Sequence, residues 1–133
     1  MPEIKVGVAA ACLLGVAVLF QLALAVGAPW GAAAYGGRVA QDDGRLPTKY
    51  RTASAGTAVI LTGALWWVLA ASAVISPIPL SGNLLGVGAW VLVGLFALNT
   101  VGNLAGRHPV ERRGAGGITA VLTILCACIA VTR

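Results

Sequence analysis

The chain has 133 residues, 59% of them hydrophobic and only 10% charged, with a mean hydropathy of +0.91. A soluble domain carries about 25% charged residues, so this composition excludes an ordinary globular fold and points to a chain that lives in a bilayer. Nine Lys plus Arg against four Asp plus Glu leave a net charge of +5. The basic residues collect in loops between apolar runs, without the aromatic interleaving of a nucleic-acid surface, so anionic lipid headgroups are the expected partner and nucleic acid is not.

The first apolar run, Val6 to Ala28, holds Gln21 as its only strongly polar side chain, and about 20 such residues suffice to span a bilayer. It is too long for the 7–15-residue core typical of a cleaved leader, and Pro29 is a poor neighbour for a cleavage site. Further spans are expected over 53–76, 84–105 and 115–131. All six prolines, Pro2, Pro29, Pro47, Pro77, Pro79 and Pro109, fall outside these runs, where helices must stop. Short connections make consecutive spans antiparallel neighbours, so the fold class is an all-α, four-transmembrane-helix up-down bundle in a single domain, 1–133.

The long loop, 29–52, begins apolar and aromatic from Trp30 to Tyr35, as suits a chain lying at headgroup depth. Its second half, 41–51, is polar with two turn signals, Asp43-Gly44 and Leu46-Pro47, and reads as a tethered surface loop. Arg38, Arg45, Lys49 and Arg51 in this loop, with Arg107, Arg112 and Arg113 in the loop between spans three and four, outnumber Lys5 and Arg133 on the other side. The positive-inside rule then puts both charged loops in the cytoplasm and both termini outside. Arg38, Arg45, Lys49, Arg51, Arg112 and Arg113 are the expected contacts to lipid surface or partner. Arg outnumbers Lys seven to two and Ala, Gly and Val abound, as in chains from GC-rich bacterial genomes.

No ionisable side chain is expected inside a span, since all charged residues sit at or beyond the ends drawn here. A proton-coupled carrier needs a buried carboxylate, and both glutamates, Glu3 and Glu111, fall outside the spans. Polar residues do enter the membrane. At about 1.5 Å of rise per residue, Gln21 and Asn99 lie at one depth, about 10 Å from the charged-loop boundary, with Thr57 and Thr119 in the same half. Asn99, Asn103 and Arg107, spaced i, i+4, i+8, share one helix face. Gln21, Thr57, Asn99, Asn103 and Arg107 are therefore the candidate cluster. It reads either as a polar vestibule for a headgroup or small solute, or as interhelical hydrogen-bond glue worth about 0.6 kcal/mol per contact.

Cys12, Cys126 and Cys128 all lie in apolar runs and suit small apolar filler rather than a disulfide framework. Trp66, Trp67 and Trp90 either line a pocket for a lipid tail or pack against small residues. Gly7, Ala11 and Gly15, and Gly86, Gly94 and Gly102, repeat at spacings that create helix-packing grooves. No catalytic residue, cofactor or metal site is indicated, and His108 reads as a solvated loop histidine.

Three stretches, GAPWGAAAYGG at 27–37, GRLPTKYRTAS at 44–54 and ALNTVGNLAGRHPVER at 97–112, resemble a group of small bacterial four-span integral membrane proteins without an assigned activity. The resemblance implies a fold and a membrane location, and marks Gly27, Pro29, Leu46, Pro47, Arg51, Asn99, Asn103 and Arg112. The leading expectation is a non-enzymatic membrane protein acting through association, as a homo-oligomer or an accessory subunit of a membrane complex. A small transporter or channel with a cytoplasm-facing polar vestibule is the alternative, and a membrane enzyme holding a lipid headgroup on Asn99, Asn103 and Arg107 is the third.

Overall fold

The computed structural model describes residues 2–76 and 79–133, which form helices and turns with no strand among them. The proline at 77, one of the expected helix breakers, lies outside these residues. Four helices carry the fold: α1 is Pro2–Ala25, α2 is Thr48–Ala71, α3 is Gly82–Leu104 and α4 is Gly116–Val131. A π-helical turn, Val110–Ala115, runs directly into α4, so the fourth apolar segment spans 22 residues. Apolar residues run all round each helix without a polar stripe, the pattern of a helix surrounded by lipid and other helices. All four are long and apolar enough to cross a membrane, and the chain is a multi-pass membrane protein.

The helices pack as two hairpins, α1 with α2 and α3 with α4, joined along α1–α4 and α2–α3. The result is a four-helix ring in chain order. Val59, Ile60, Val91, Leu98 and Ile124 face outward and are exposed, which in a bilayer means contact with acyl chains. One end of the bundle carries Pro2, Arg133 and the described parts of the α2–α3 connection, 72–76 and 79–81. The other end, here the basic end, carries loops 26–47 and 105–109.

Helix ends differ from the sequence expectation in ways that local chemistry explains. α1 stops at Ala25 because Gly27, at φ +98°, closes it: the Ala28 amide donates to Ala23 carbonyl at 2.9 Å and the Gly27 amide to Leu24 carbonyl at 3.1 Å. Arg51 adds a side-chain cap, its Nε donating to Ala25 carbonyl at 3.0 Å. α2 stops at Ala71, five residues before the expected end, by the same pair of bonds, Val74 to Leu69 and Ala73 to Ala70. There the left-handed residue is Ala73, φ +58°, so no glycine announces the stop. Arg133 Nε then caps α2 by donating to Ala71 carbonyl at 2.6 Å. At the start of α3, Ser81 Oγ accepts the Leu84 amide at 3.2 Å.

The loop between α1 and α2 departs from expectation in its apolar half, expected at headgroup depth, whereas Gln41, Asp42, Asp43, Arg45 and Lys49 of the polar half are exposed. The loop folds back into the end of the bundle: Gly31, Ala33, Ala34 and Leu46 are buried, and Leu46 and Ala34 pack on Leu24. The Gly31 amide donates to Gly44 carbonyl at 2.8 Å, and the Asp43-Gly44 turn is closed by Gln41–Arg45 and Gly44–Gln41 bonds of 2.8 and 2.9 Å. Trp30 stacks on Phe20 at 6.2 Å between ring centroids. The segment is short of charge from 26 to 37 because it is an inward-packing cap, with only its outer face exposed.

The main core sits toward the terminal end, around Leu14, Val68, Leu92, Phe96, Leu122, Cys126 and Ile129. Trp67 crosses from α2 to α3, its Nε1 donating to Leu85 carbonyl at 3.2 Å. Its ring occupies the space a side chain at Gly88 would need. The small residues that matter in this packing are Gly7, against Ser72, and Gly88, whereas Gly15, Gly94 and Gly102 have no atom near a would-be Cβ. Of the eight-residue glycine repeat only Gly86 is closely packed, its would-be Cβ 3.2 Å from Arg133, so the repeat is not a continuous internal groove. Trp66 and Trp90 are exposed outward, so the tryptophans serve packing and the lipid boundary rather than a tail pocket.

Candidate functional site

Between the main core and the folded-back loop lies a cavity of about 590 Å³, within the range of small-molecule sites. α1 contributes Phe20 and Gln21, the loop Tyr35 and Gly36, α2 Thr57 and Leu61, α3 Phe96, Asn99 and Asn103, and the π turn with α4 contributes Glu111, Ile118, Thr119 and Leu122. Val16 and Asn99 line it and are exposed, so the cavity is open rather than sealed.

Four of the five cluster residues named from the sequence, Gln21, Thr57, Asn99 and Asn103, meet on this cavity, and Thr119 joins them. Equal depth accounts for it: α1 and α3 face each other diagonally across the ring, with Thr57 on α2 and Thr119 on α4 between them. Arg107 does not join them: it lies beyond the end of α3, exposed, beside Gly37. Part of the cluster is interhelical glue in the plain sense, because Asn103 Nδ2 donates to Thr119 Oγ1 at 3.3 Å and Thr100 pairs with the same hydroxyl at 3.0 Å. Gln21 is different, since its Oε1 is buried with no hydrogen-bond partner.

The residue that sequence reasoning missed is Glu111. Counted among the charges outside the spans, it is in fact only 5% exposed and lines the cavity. Two local features put it there. A π turn offsets side chains from the α-helical register, so a residue flanked by Val110, Arg112 and Arg113 points inward while both arginines stay exposed. Such turns are rare and concentrate at functional positions. Second, Gly106 leaves room: a Cβ there would overlap the Glu111 carboxylate. His108 helps start the turn, its Nδ1 accepting the Val110 amide at 3.2 Å.

The carboxylate is held by the folded loop. Gly36 donates its amide to Glu111 Oε1 at 3.0 Å, while Oε2 is buried without a partner. That amide is presented by three successive left-handed residues, Tyr35 (φ +51°), Gly36 (+76°) and Gly37 (+73°), in a turn closed by the Gly37 amide donating to Ala34 carbonyl at 2.9 Å. Tyr35 is the strained member, since a residue with a Cβ rarely adopts this conformation. Its ring is fixed against Tyr50 at 5.1 Å and its hydroxyl against Ser54 Oγ at 3.1 Å. Tyr-Gly-Gly at 35–37 is thus a sequence signal for a special backbone, although its partner 75 residues away is invisible in the sequence.

The six basic residues expected to meet lipid or partner divide by environment. Arg38, Arg112 and Arg113 are exposed; Arg45 is exposed and lies 3.9 Å from Asp43. Lys49 lies over the Tyr50 ring at 5.6 Å, and Arg51 is committed to the α1 cap. The cysteines are free, with Cys126 buried in the core and Cys12 and Cys128 exposed. Among the described residues no group of three His, Cys, Asp or Glu is placed to hold a metal. Comparison with family models, curated proteins and solved structures finds no match to this chain.

Proposed function

We propose that this chain is a small solute transporter of a bacterial cell membrane, taking an amphipathic small molecule into the cavity at its basic end. The observation that carries the reading is a roomy cavity whose wall holds two buried acceptors without partners, Gln21 Oε1 and Glu111 Oε2. Native interiors leave few polar atoms unsatisfied, because each costs about 1–3 kcal/mol. Both residues line the cavity, and a ligand whose donors reached these oxygens would satisfy them. Phe20, Leu61, Phe96, Ile118 and Leu122 supply the apolar wall. The excess of basic residues at this end supports a cytoplasmic orientation, with the termini outside and the arginines on anionic headgroups. The buried carboxylate also supplies the group whose apparent lack argued against a proton-coupled carrier.

Gly102 provides the test. It lines the cavity, is exposed and has no atom within 4 Å of a would-be Cβ, so Gly102→Leu adds bulk at the cavity rim without a clash. Binding of the neutral fluorophore N-phenyl-1-naphthylamine to protein in phosphatidylcholine nanodiscs, corrected with empty nanodiscs, is expected to fall at least about tenfold in this variant while the fold is kept. Unchanged binding would remove the cavity from the account.

The association reading rests on a separate observation. Gly56 and Gly63 on α2 and Gly94 on α3 present open space where a side chain would stand, a smooth outer face that lets another helix approach. Native mass spectrometry of protein released gently from its own membrane tests it: a defined complex with another protein would make this chain an accessory subunit, and a homo-oligomer carrying a small-molecule adduct would join the two readings.

A further inference from the structure

We infer that the occupant of the cavity is an organic monocation bearing N–H donors, an amphipathic ammonium or guanidinium compound whose head lies against Glu111. The inference rests on the reading of the cavity as a ligand site and names its chemical class.

The first argument is an inventory of donors and acceptors. Thr57 Oγ1 already donates to Ala53 carbonyl at 2.9 Å, and Thr119 Oγ1 to Ala115 carbonyl at 2.9 Å. Asn103 Nδ2 donates to Thr119. With those protons committed, Thr57 offers the cavity only lone pairs, and Asn103 offers its carbonyl oxygen and one remaining amide hydrogen. Gln21 Oε1 and Glu111 Oε2 are unpartnered acceptors. Amide donors remain on Asn99 and Gln21, but the balance on the wall favours a ligand that donates more than it accepts.

The second argument is charge. Glu111 is nine-tenths buried and makes no ion pair; the one salt bridge among the described residues is Arg45 with Asp43. Burying a carboxylate without a counter-charge is unfavourable, and a cation placed in the same low-dielectric space relieves it. Arg38, Arg107, Arg112 and Arg113 rim this end but are exposed to water, where salt screens charges over about 8 Å. They weaken long-range attraction of a cation without replacing a partner inside. The apolar wall accounts for the remainder of the ligand, and the volume suits one molecule rather than a bare ion.

The experiment titrates ethidium, a planar organic monocation with two amino groups, against wild-type protein and Glu111→Gln in phosphatidylcholine nanodiscs, with N-phenyl-1-naphthylamine as the neutral probe. The amide oxygen of glutamine can still accept the Gly36 amide, so the substitution removes charge and leaves the loop contact. Expected is a loss of ethidium affinity of about tenfold or more, well beyond the change for the neutral probe. Equal changes for the two probes, or wild-type protein that binds the neutral probe and not ethidium, would overturn the cation assignment and leave the cavity as a site. Binding of neither probe would remove the site itself. A second measurement needs no variant: octylammonium should displace the bound probe from wild-type protein at concentrations about tenfold below octanol, which has the same tail. Equal potency would sink the assignment even if Glu111→Gln fails to fold.

Discussion

The two ends of this bundle are cut from the same four apolar helices and solve opposite problems. Toward the termini, Leu14, Val68, Leu92, Cys126 and Ile129 close on one another, and Trp67 fills the space that Gly88 leaves. Toward the basic loops, the helices bring Gln21, Thr57, Asn99, Asn103 and Thr119 around a space and close it with a folded segment latched to Glu111. The basic half carries the amides, hydroxyls and the buried carboxylate around a space, whereas the other half is filled by apolar side chains. Close packing there supplies the rigidity that allows the basic half to hold a cavity with unpartnered polar atoms.

The contrast is broken most forcefully in the packed half. Leu14 is fully buried, and Leu14→Ala is expected to cost about 2–5 kcal/mol, read by denaturant unfolding in mixed micelles. Ile118, on the cavity wall, should cost clearly less when cut to Ala, since it already borders space; an equal loss would erase the distinction between the halves. Next in size is a matched pair of glycines. Gly88→Leu drives a side chain into the Trp67 ring and should cost about 1–3 kcal/mol or more, whereas Gly102→Leu should be neutral or stabilising by up to about 1 kcal/mol, because leucine favours a helix.

Smaller again is Arg51→Met, which deletes the guanidinium donor to Ala25 and should cost about 1–2 kcal/mol. It would also loosen the junction of α1 with the loop, seen as faster hydrogen exchange at residues 26–37. The smallest expected effect concerns the polar bonds on the cavity. A double-mutant cycle of Asn103→Leu with Thr119→Val should return a coupling of about 0.6 kcal/mol. A much larger coupling would recast these residues as structural staples.

Much of the architecture was legible because hydropathy acts one residue at a time. Four apolar runs, prolines at their ends and basic residues between them are enough to infer four spans, and helical rise was enough to put Gln21 and Asn99 at one depth, though not to show that they share a cavity. Several features were not legible. The early stop of α2 depends on Ala73 adopting a left-handed conformation without a glycine to mark it. The apolar half of the α1–α2 loop reads as lying at headgroup depth, because local composition does not reveal Ala34 and Leu46 finding Leu24. Arg107 was placed with Asn99 and Asn103 on an ideal helix face, but α3 ends at Leu104 and the face ends with it.

Glu111 shows the limit most clearly. One residue beside two arginines in a short basic loop reads as solvent-exposed, and every local cue agrees. Its burial depends on a π turn that rotates it inward, on Gly106 leaving room across the connection, and on a glycine amide 75 residues earlier in the chain. Length, hydropathy and charge asymmetry are sums over neighbours in the chain, so the sequence by itself determined that this protein crosses a membrane four times and which end is basic. Which side chains share a cavity, and which carboxylate is sealed into its wall, depends on helix rotation and on contacts between distant segments, and these only the tertiary structure decided.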